Sequence, residues 1–429
     1  MKKYTSLTEI QGILAQKQLT VPELIAYYFS QIEKNQHLNA FNEVFFDSAK
    51  KQAELVQQKV DNGTAGRLAG MVIGIKDNIC YVNHQVSASS KMLADFVSPY
   101  SSTVVERLLV EDAVIIGRLN CDEFAMGGSN ETSYYGPVKN AVDEERVAGG
   151  SSGGSAVAVQ ADLCLAALGT DTGGSVRQPA AFCGCIGFKP TYGRISRYGV
   201  LAYASSFDQV GTLTSSVSDA ALLLSILSGV DDADSTVSSL PVPNYTQDLG
   251  AGGTQRIAVL RETIENEALD PEIRTAILAA ITKLTDQGHV VEYVSFDLLD
   301  YLVPAYYVLT TAEASSNLSR YDGVHYGYRN TQAESLNMLY KTSRAEGFGE
   351  EVKRRILLGT FVLSAGYYDA YYQKAQQVRR LIREKVEALF VDYDFLLSPV
   401  TPTPAFKIGE NIQDPWSCTW PISIRFWPL

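Results

Sequence analysis

Hydrophobic positions along the chain follow two different periods. Near the start, Leu24, Ile25, Tyr28 and Ile32 recur at helical spacing behind Thr20-Val-Pro-Glu23. That tetrad is a capping box: threonine accepts from the third helical N–H, and glutamate reaches back to the threonine N–H. Proline sits where its missing N–H is harmless. The pattern predicts a helix to about Glu33, and a second, exposed helix over about 48–60, closed by Asp61-Asn-Gly63. The period then changes. Residues 71–75 form an unbroken apolar run ended by Lys76-Asp77-Asn78, which reads as a buried strand. Residues 104–109 suit a helix and 113–116 another buried strand.

Further along, Gly149-Gly-Ser-Ser-Gly-Gly-Ser155 opens a helix of small residues over 156–161. A strand over 163–168 and the run Gly169-Thr-Asp-Thr-Gly-Gly-Ser175 follow. Residues 256–260 and 289–294 read as strands flanking a helix over 271–284, and 350–389 is strongly helical. Strands alternating with helices predict an α/β architecture. Neither a repeat nor a low-complexity linker divides the chain. The expectation is one large domain, with a substructure over about 240–390 capping one face.

Composition narrows the function. Apolar residues make up 46% of the 429 and charged residues 20%, as in a globular soluble chain. A net charge of −12 lacks the basic footprint that phosphate backbones require, so any RNA should be held by a partner. The first residues lack an apolar signal core, and no window approaches 18 charge-free apolar residues. A cytoplasmic protein without a membrane span is expected. Six cysteines are too few for a disulfide framework, and the pair at Cys183 and Cys185 reads as plain buried thiols.

Three segments carry chemistry. Ser175 ends a Thr-Gly-Gly-Ser turn whose backbone N–H groups, from Thr172, Gly173, Gly174 and Ser175 itself, can face a developing oxyanion. A serine needs a base, and Lys76 qualifies if burial in its strand removes its proton. Asp77 beside it opposes this, because a near carboxylate raises the lysine pKa. Ser151, able both to donate and to accept, can pass a proton between the two. The chain has only His37, His84, His289 and His325, none in these segments, so neither a Ser–His–Asp triad nor a zinc site is expected. The glycine loop at 149–155 matches neither phosphate-binding spacing. Taken one by one, the segments also read as a helix-capping turn, a packed lysine with a solvated head, and a loop.

Together, Gly74-Ile-Lys-Asp-Asn78, the run at 149–155 and Gly169 to Pro179 resemble the amidase signature family. The resemblance implies its α/β fold, a central mixed sheet covered by helices on both faces. It also implies Ser175 as nucleophile, Ser151 as bridging serine and Lys76 as base. Asn120-Cys-Asp-Glu-Phe-Ala-Met-Gly128, Lys189 to Arg197, Glu313 to Asn317 and Gly347 to Arg355 are similar to the A-subunit branch of tRNA-dependent amidotransferases. That branch implies Tyr306 and Arg355 beside bound glutamine, although an exposed helix charge is the alternative reading of Arg355. It implies B and C partner subunits, which hold the mischarged tRNA and use ATP and Mg, with no cofactor on this chain. A free-standing amidase on small amides and a catalytically silent scaffold are the competing readings. Whether Glu-tRNA or Asp-tRNA is served is open.

The resemblance sets the boundaries: one domain over 1–415, a signature core over about 65–215, and an aberrant tail over 416–429. Trp416, Trp420 and Trp427 are the only tryptophans of the chain. With suitable synonymous codons, one restored base before Trp416 turns this tail into LVMYLADIYPVLA, which is similar to the branch and places an aspartate where Ile422 stands. A frameshifted tail, with poor folding and weak activity, is therefore expected.

Overall fold

The computed structural model describes residues 3–411 apart from 248 and 251. The tail over 416–429 lies outside the described residues. Six strands form the main sheet: β1 (Phe41–Val44), β2 (Val72–Lys76), β3 (Val114–Leu119), β4 (Ala166–Asp171), β5 (Ile186–Phe188) and β6 (Gln209–Thr214). Their order is β1-β3-β2-β4-β6-β5. β2 runs parallel to both β3 and β4, whereas β1, β5 and β6 pair antiparallel, so the sheet is mixed. Every residue of β2, β3, β4 and β6 is buried, which requires cover on both faces. Helices Phe46–Asp61, Thr103–Val110, Gly153–Gln160 and Val217–Leu227 pack on these strands. A second sheet, β7 (Arg256–Leu260), β8 (Val290–Val294) and β9 (Phe395–Leu397), is all parallel in the order β8-β7-β9.

The capping box forms as predicted: Thr20 Oγ1 accepts from the Glu23 N–H at 3.3 Å, and Glu23 Oε2 accepts from the Thr20 N–H at 2.8 Å. The helix behind it is Val21–Lys34. Three expectations need correction. The strand expected over 163–168 is β4, three residues later, so that Asp171 ends it. Residues 161–165 instead turn after the helix, with Asp162 in the left-handed region at φ 58°. The helix before it begins at Gly153 rather than 156, because Asn130 Oδ1 accepts the Gly153 N–H at 2.9 Å and organises the glycine run. The long helix over 350–389 is broken into Glu350–Val362 and Lys374–Asp392, with Gly366 at φ 86° between them.

Two large apolar clusters result. One surrounds the main sheet. The other joins the sheet's loops to the helices after 299: it contains Phe124, Tyr203, Phe207, Tyr306, Tyr307, Phe348 and Val352. The cysteines seen in the described residues are all free thiols, and Cys185 is half-buried rather than buried.

Candidate active site

Parallel neighbours β2 and β4 end on the same edge of the sheet. Their carboxyl ends carry Lys76 and Asp171, and such edges are where open α/β sheets bind ligands. Lys76 is fully buried. Its ammonium nitrogen lies 2.7 Å from Ser151 Oγ, 3.0 Å from Ser152 Oγ, and 3.0 Å from Thr170 Oγ1. Burial lowers its pKa, against the pull of Cys121, Asp122, Asp171 and Asp208. Burial also raises the pKa of Asp122, and pushes Asp208 up to about 7, which weakens that pull.

Asp77 does not oppose the lysine as its sequence position suggested. Its carboxylate faces away, 2.7 Å from the Arg118 guanidinium, and also accepts from Asn42 and from the Ser87 and Ser89 N–H groups. The chain alternation at a strand end sends neighbouring side chains to opposite sides.

Hydroxyl bookkeeping separates the two adjacent serines. Ser152 Oγ donates to the Thr170 carbonyl at 3.2 Å, so its proton is committed. Thr170 Oγ1 already accepts from Asn78 Nδ2 at 3.0 Å. A neutral amine has two protons and one lone pair. An amine that gave those two protons to Ser152 and Thr170 would turn its lone pair toward the Ser151 hydroxyl. The loop that presents Ser151 contains a cis peptide between Gly150 and Ser151. A Cβ at Gly150 would lie 2.1 Å from Asp122 Oδ2, so only glycine admits this approach.

Ser175 lies on the facing turn, 8% exposed, and its carbonyl accepts the Ser152 N–H at 3.1 Å. The turn is held from below by Asp171, which accepts from the Gly174 and Val176 N–H groups at 2.7 and 3.1 Å and pairs with Arg177 at 2.9 Å. The Gly174 N–H is therefore committed to Asp171.

Arg355 is buried on helix Glu350–Val362, not exposed. Its guanidinium donates to Glu351 at 2.7 Å and to the Tyr203 hydroxyl at 3.1 Å. It also lies over the Tyr203 and Tyr307 rings, at 5.5 and 5.4 Å from their centroids. Tyr306 is buried in the same aromatic cluster, its ring edge-on to Tyr307 and Phe207. Asp208 links the two halves: it accepts from Thr172 Oγ1 at 2.6 Å and from the Tyr203 and Ala204 N–H groups at 2.8 and 3.0 Å. Sequence reasoning assigned no role to Thr170, Ser152, Asp208 or Tyr203. Thr170 and Ser152 stand within runs already singled out, whereas Tyr203 and Asp208 lie outside every one of them.

A strand-end lysine and two facing serine turns thus meet at one edge of the main sheet, and a buried arginine stands on a separate helix. The chain belongs to the amidase family, whose sequence profile matches residues 23–424. It is 46% identical to the glutamyl-tRNA(Gln) amidotransferase A-subunit of Salinibacter ruber, over 96% of this chain and 88% of that one. Among solved structures it is similar to the glutamyl-tRNA(Gln) amidotransferase A-subunit of Thermotoga maritima: TM-score 0.73, 37% identity, covering 91% of this chain and 81% of that one. It is also similar to the peptide amidase of Stenotrophomonas maltophilia: TM-score 0.80, 30% identity, covering 94% and 85%. Among the described residues no group of acidic, histidine or cysteine side chains could hold a metal ion. Among them, too, no helix is long and apolar enough to cross a membrane.

Proposed function

We propose that this chain is the glutamine-hydrolysing subunit of a tRNA-dependent amidotransferase, with Ser175 as nucleophile, Ser151 as proton relay and Lys76 as base. The observation that carries the reading is the 2.7 Å contact between Ser151 Oγ and a fully buried Lys76 whose pKa burial has lowered. Ser175 Oγ attacks the side-chain amide carbon of glutamine. Its proton passes to Ser151 while the Ser151 proton passes to Lys76. The N–H groups of Thr172, Gly173 and Ser175 receive the oxyanion, and such donors are usually the largest single catalytic contribution. Lys76 then returns the proton through Ser151 to the leaving nitrogen, and ammonia departs. Water, activated by the same pair, releases glutamate from Ser175.

Arg355, with Tyr306 beside it, takes the glutamine α-carboxylate, since a guanidinium forks onto a carboxylate. The ammonia serves Glu-tRNA(Gln), or Asp-tRNA(Asn), held by B and C partner subunits in the cytoplasm, where ATP and Mg activate the mischarged acyl group. This division fits a chain of net charge −12, which has no basic footprint for tRNA.

The test is a glutaminase assay of the full chain with and without the partner subunits, alongside Ser175→Ala. Turnover that rises with partners, and falls by about a thousandfold or more in the variant, is expected. Near-normal turnover by Ser175→Ala would overturn the mechanism. Glutamine turnover indifferent to partners would favour a free-standing amidase.

A further inference from the structure

Helix Glu350–Val362, which carries Arg355 in its second turn, starts without a cap of its own. Its N-cap residue is Gly349, which has no side chain to accept a hydrogen bond. Its third helical position is Val352, where a capping box would place glutamate. The missing partner comes from 226 residues away: Glu123 Oε2 accepts the Gly349 N–H at 2.8 Å. A carboxylate at this end of a helix is also favoured by the helix dipole. The fit is close, since a Cβ on Gly349 would lie 2.3 Å from Glu123 Oε2. The other carboxylate oxygen, Oε1, accepts from Ser90 Oγ, which also reaches the Gly347 carbonyl at 3.4 Å. Phe124, the next residue, packs its ring on Phe348 at 5.7 Å. Residues 347–349 are thus fixed by the loop that carries Glu123.

That same loop touches the serine turn. Asp122 donates its N–H to the Ser151 carbonyl at 3.1 Å, and its carboxylate holds the Asn130 and Thr132 N–H groups at 3.0 and 3.3 Å. Asp122 and Glu123 are adjacent yet serve opposite sides, one the proton-relay loop and the other the arginine helix. We propose that Glu123 is a positioning residue for glutamine: it sets where Arg355 stands relative to Ser151 and Ser175, and so sets affinity for the α-carboxylate. The inference rests on the assignment of Arg355 above and adds a residue that acts through the arginine helix.

The experiment compares Glu123→Gln, Glu123→Ala, Arg355→Met and the Glu123→Ala/Arg355→Met double variant in the full chain with its partners. Each is assayed on glutamine and on butyramide, which has the amide but no α-carboxylate. Glu123→Ala should raise KM for glutamine by about tenfold with kcat within about twofold, and Glu123→Gln, which keeps an acceptor but loses the charge, by less. Butyramide turnover should change by less than about twofold in both. The double variant should be no worse on glutamine than Arg355→Met alone, because the two residues act through one contact. Equal loss on both substrates would mean that Glu123 only supports the fold, and would overturn the proposal. So would unchanged glutamine KM in both Glu123 variants while Arg355→Met raises it. If Arg355→Met itself leaves glutamine KM unchanged, the assignment of Arg355 fails instead, and the positioning role fails with it.

Discussion

Thr172, in the serine turn, donates its hydroxyl to Asp208 at 2.6 Å, and Asp208 is buried without an arginine or lysine from the described residues bonded to its carboxylate. Hydroxyl and N–H donors hold it, from Thr172, Tyr203 and Ala204. Burial outweighs them and pushes its pKa up to about 7. The unfolded chain ionises this group near its reference value of about 3.9. Between these two values the folded state holds a proton that the unfolded state has released. The contribution of Asp208 to stability is therefore full below about pH 4 and is lost as pH rises through about 7.

The expected outcome is a stability difference that depends on pH. Denaturant unfolding of the parent chain and of Asp208→Asn, at pH 5 and pH 8, should show the parent losing more stability at the higher pH. The gap of about three pH units corresponds to a few kcal/mol at most. Parallel pH profiles for the two proteins would show that Asp208 is ionised throughout.

Ser151 and Ser152 should respond differently to the same substitution. Both hydroxyls touch the Lys76 nitrogen, but the Ser152 proton is committed to the Thr170 carbonyl. Ser151→Ala is expected to lower kcat by about a thousandfold, whereas Ser152→Ala costs about tenfold or less, through disturbed placement of the amine. Equal thousandfold losses in single-turnover assays would mean that the Ser152 hydroxyl is as essential to proton transfer as that of Ser151.

Lys76→Arg should be as damaging as Lys76→Met. Arginine keeps its charge at any working pH and cannot accept the Ser151 proton. In the parent chain, kcat/KM should fall on the acid side as Lys76 gains its proton, at a pH below that of an ordinary lysine because burial lowers its pKa. An arginine variant with substantial turnover would remove Lys76 from the role of base.

The pair Asp77–Arg118 should matter for stability. Both side chains are buried, with 2.7 Å between them. Arg118→Met leaves the Asp77 charge uncompensated and should cost about 3–5 kcal/mol, read from the shift in denaturant midpoint. A shift below about 1 kcal/mol would show that Asn42 and the Ser87 and Ser89 N–H groups suffice for that carboxylate.

Much of the local structure was legible in the chain. The capping box at Thr20 fixed a helix start, because both partners lie within one turn of each other. The apolar run before Lys76 read as a buried strand, and β2 is Val72–Lys76. Where the reading slipped, at β4 and at the helix beginning with Gly153, the deciding partner was distant. Asn130 organises the glycine run from more than twenty residues away. The antiparallel strands β5 and β6 left no periodic signal, since β6 is buried along its whole length and β5 spans only Ile186–Phe188.

Sequence by itself determined which residue types were available: a lysine at a strand end, serines in glycine turns, and no histidine near them. Those are properties of neighbours along the chain, where spacing and residue chemistry act directly. Only the tertiary structure decided what each group faces. It turned Asp77 away from Lys76 onto Arg118, committed the Gly174 N–H to Asp171, buried Arg355 among Tyr203 and Tyr307, and brought Glu123 to the head of the arginine helix. These contacts join segments from different strands and layers. Desolvation and hydrogen-bond pairing there depend on how the whole chain packs, which no local pattern encodes.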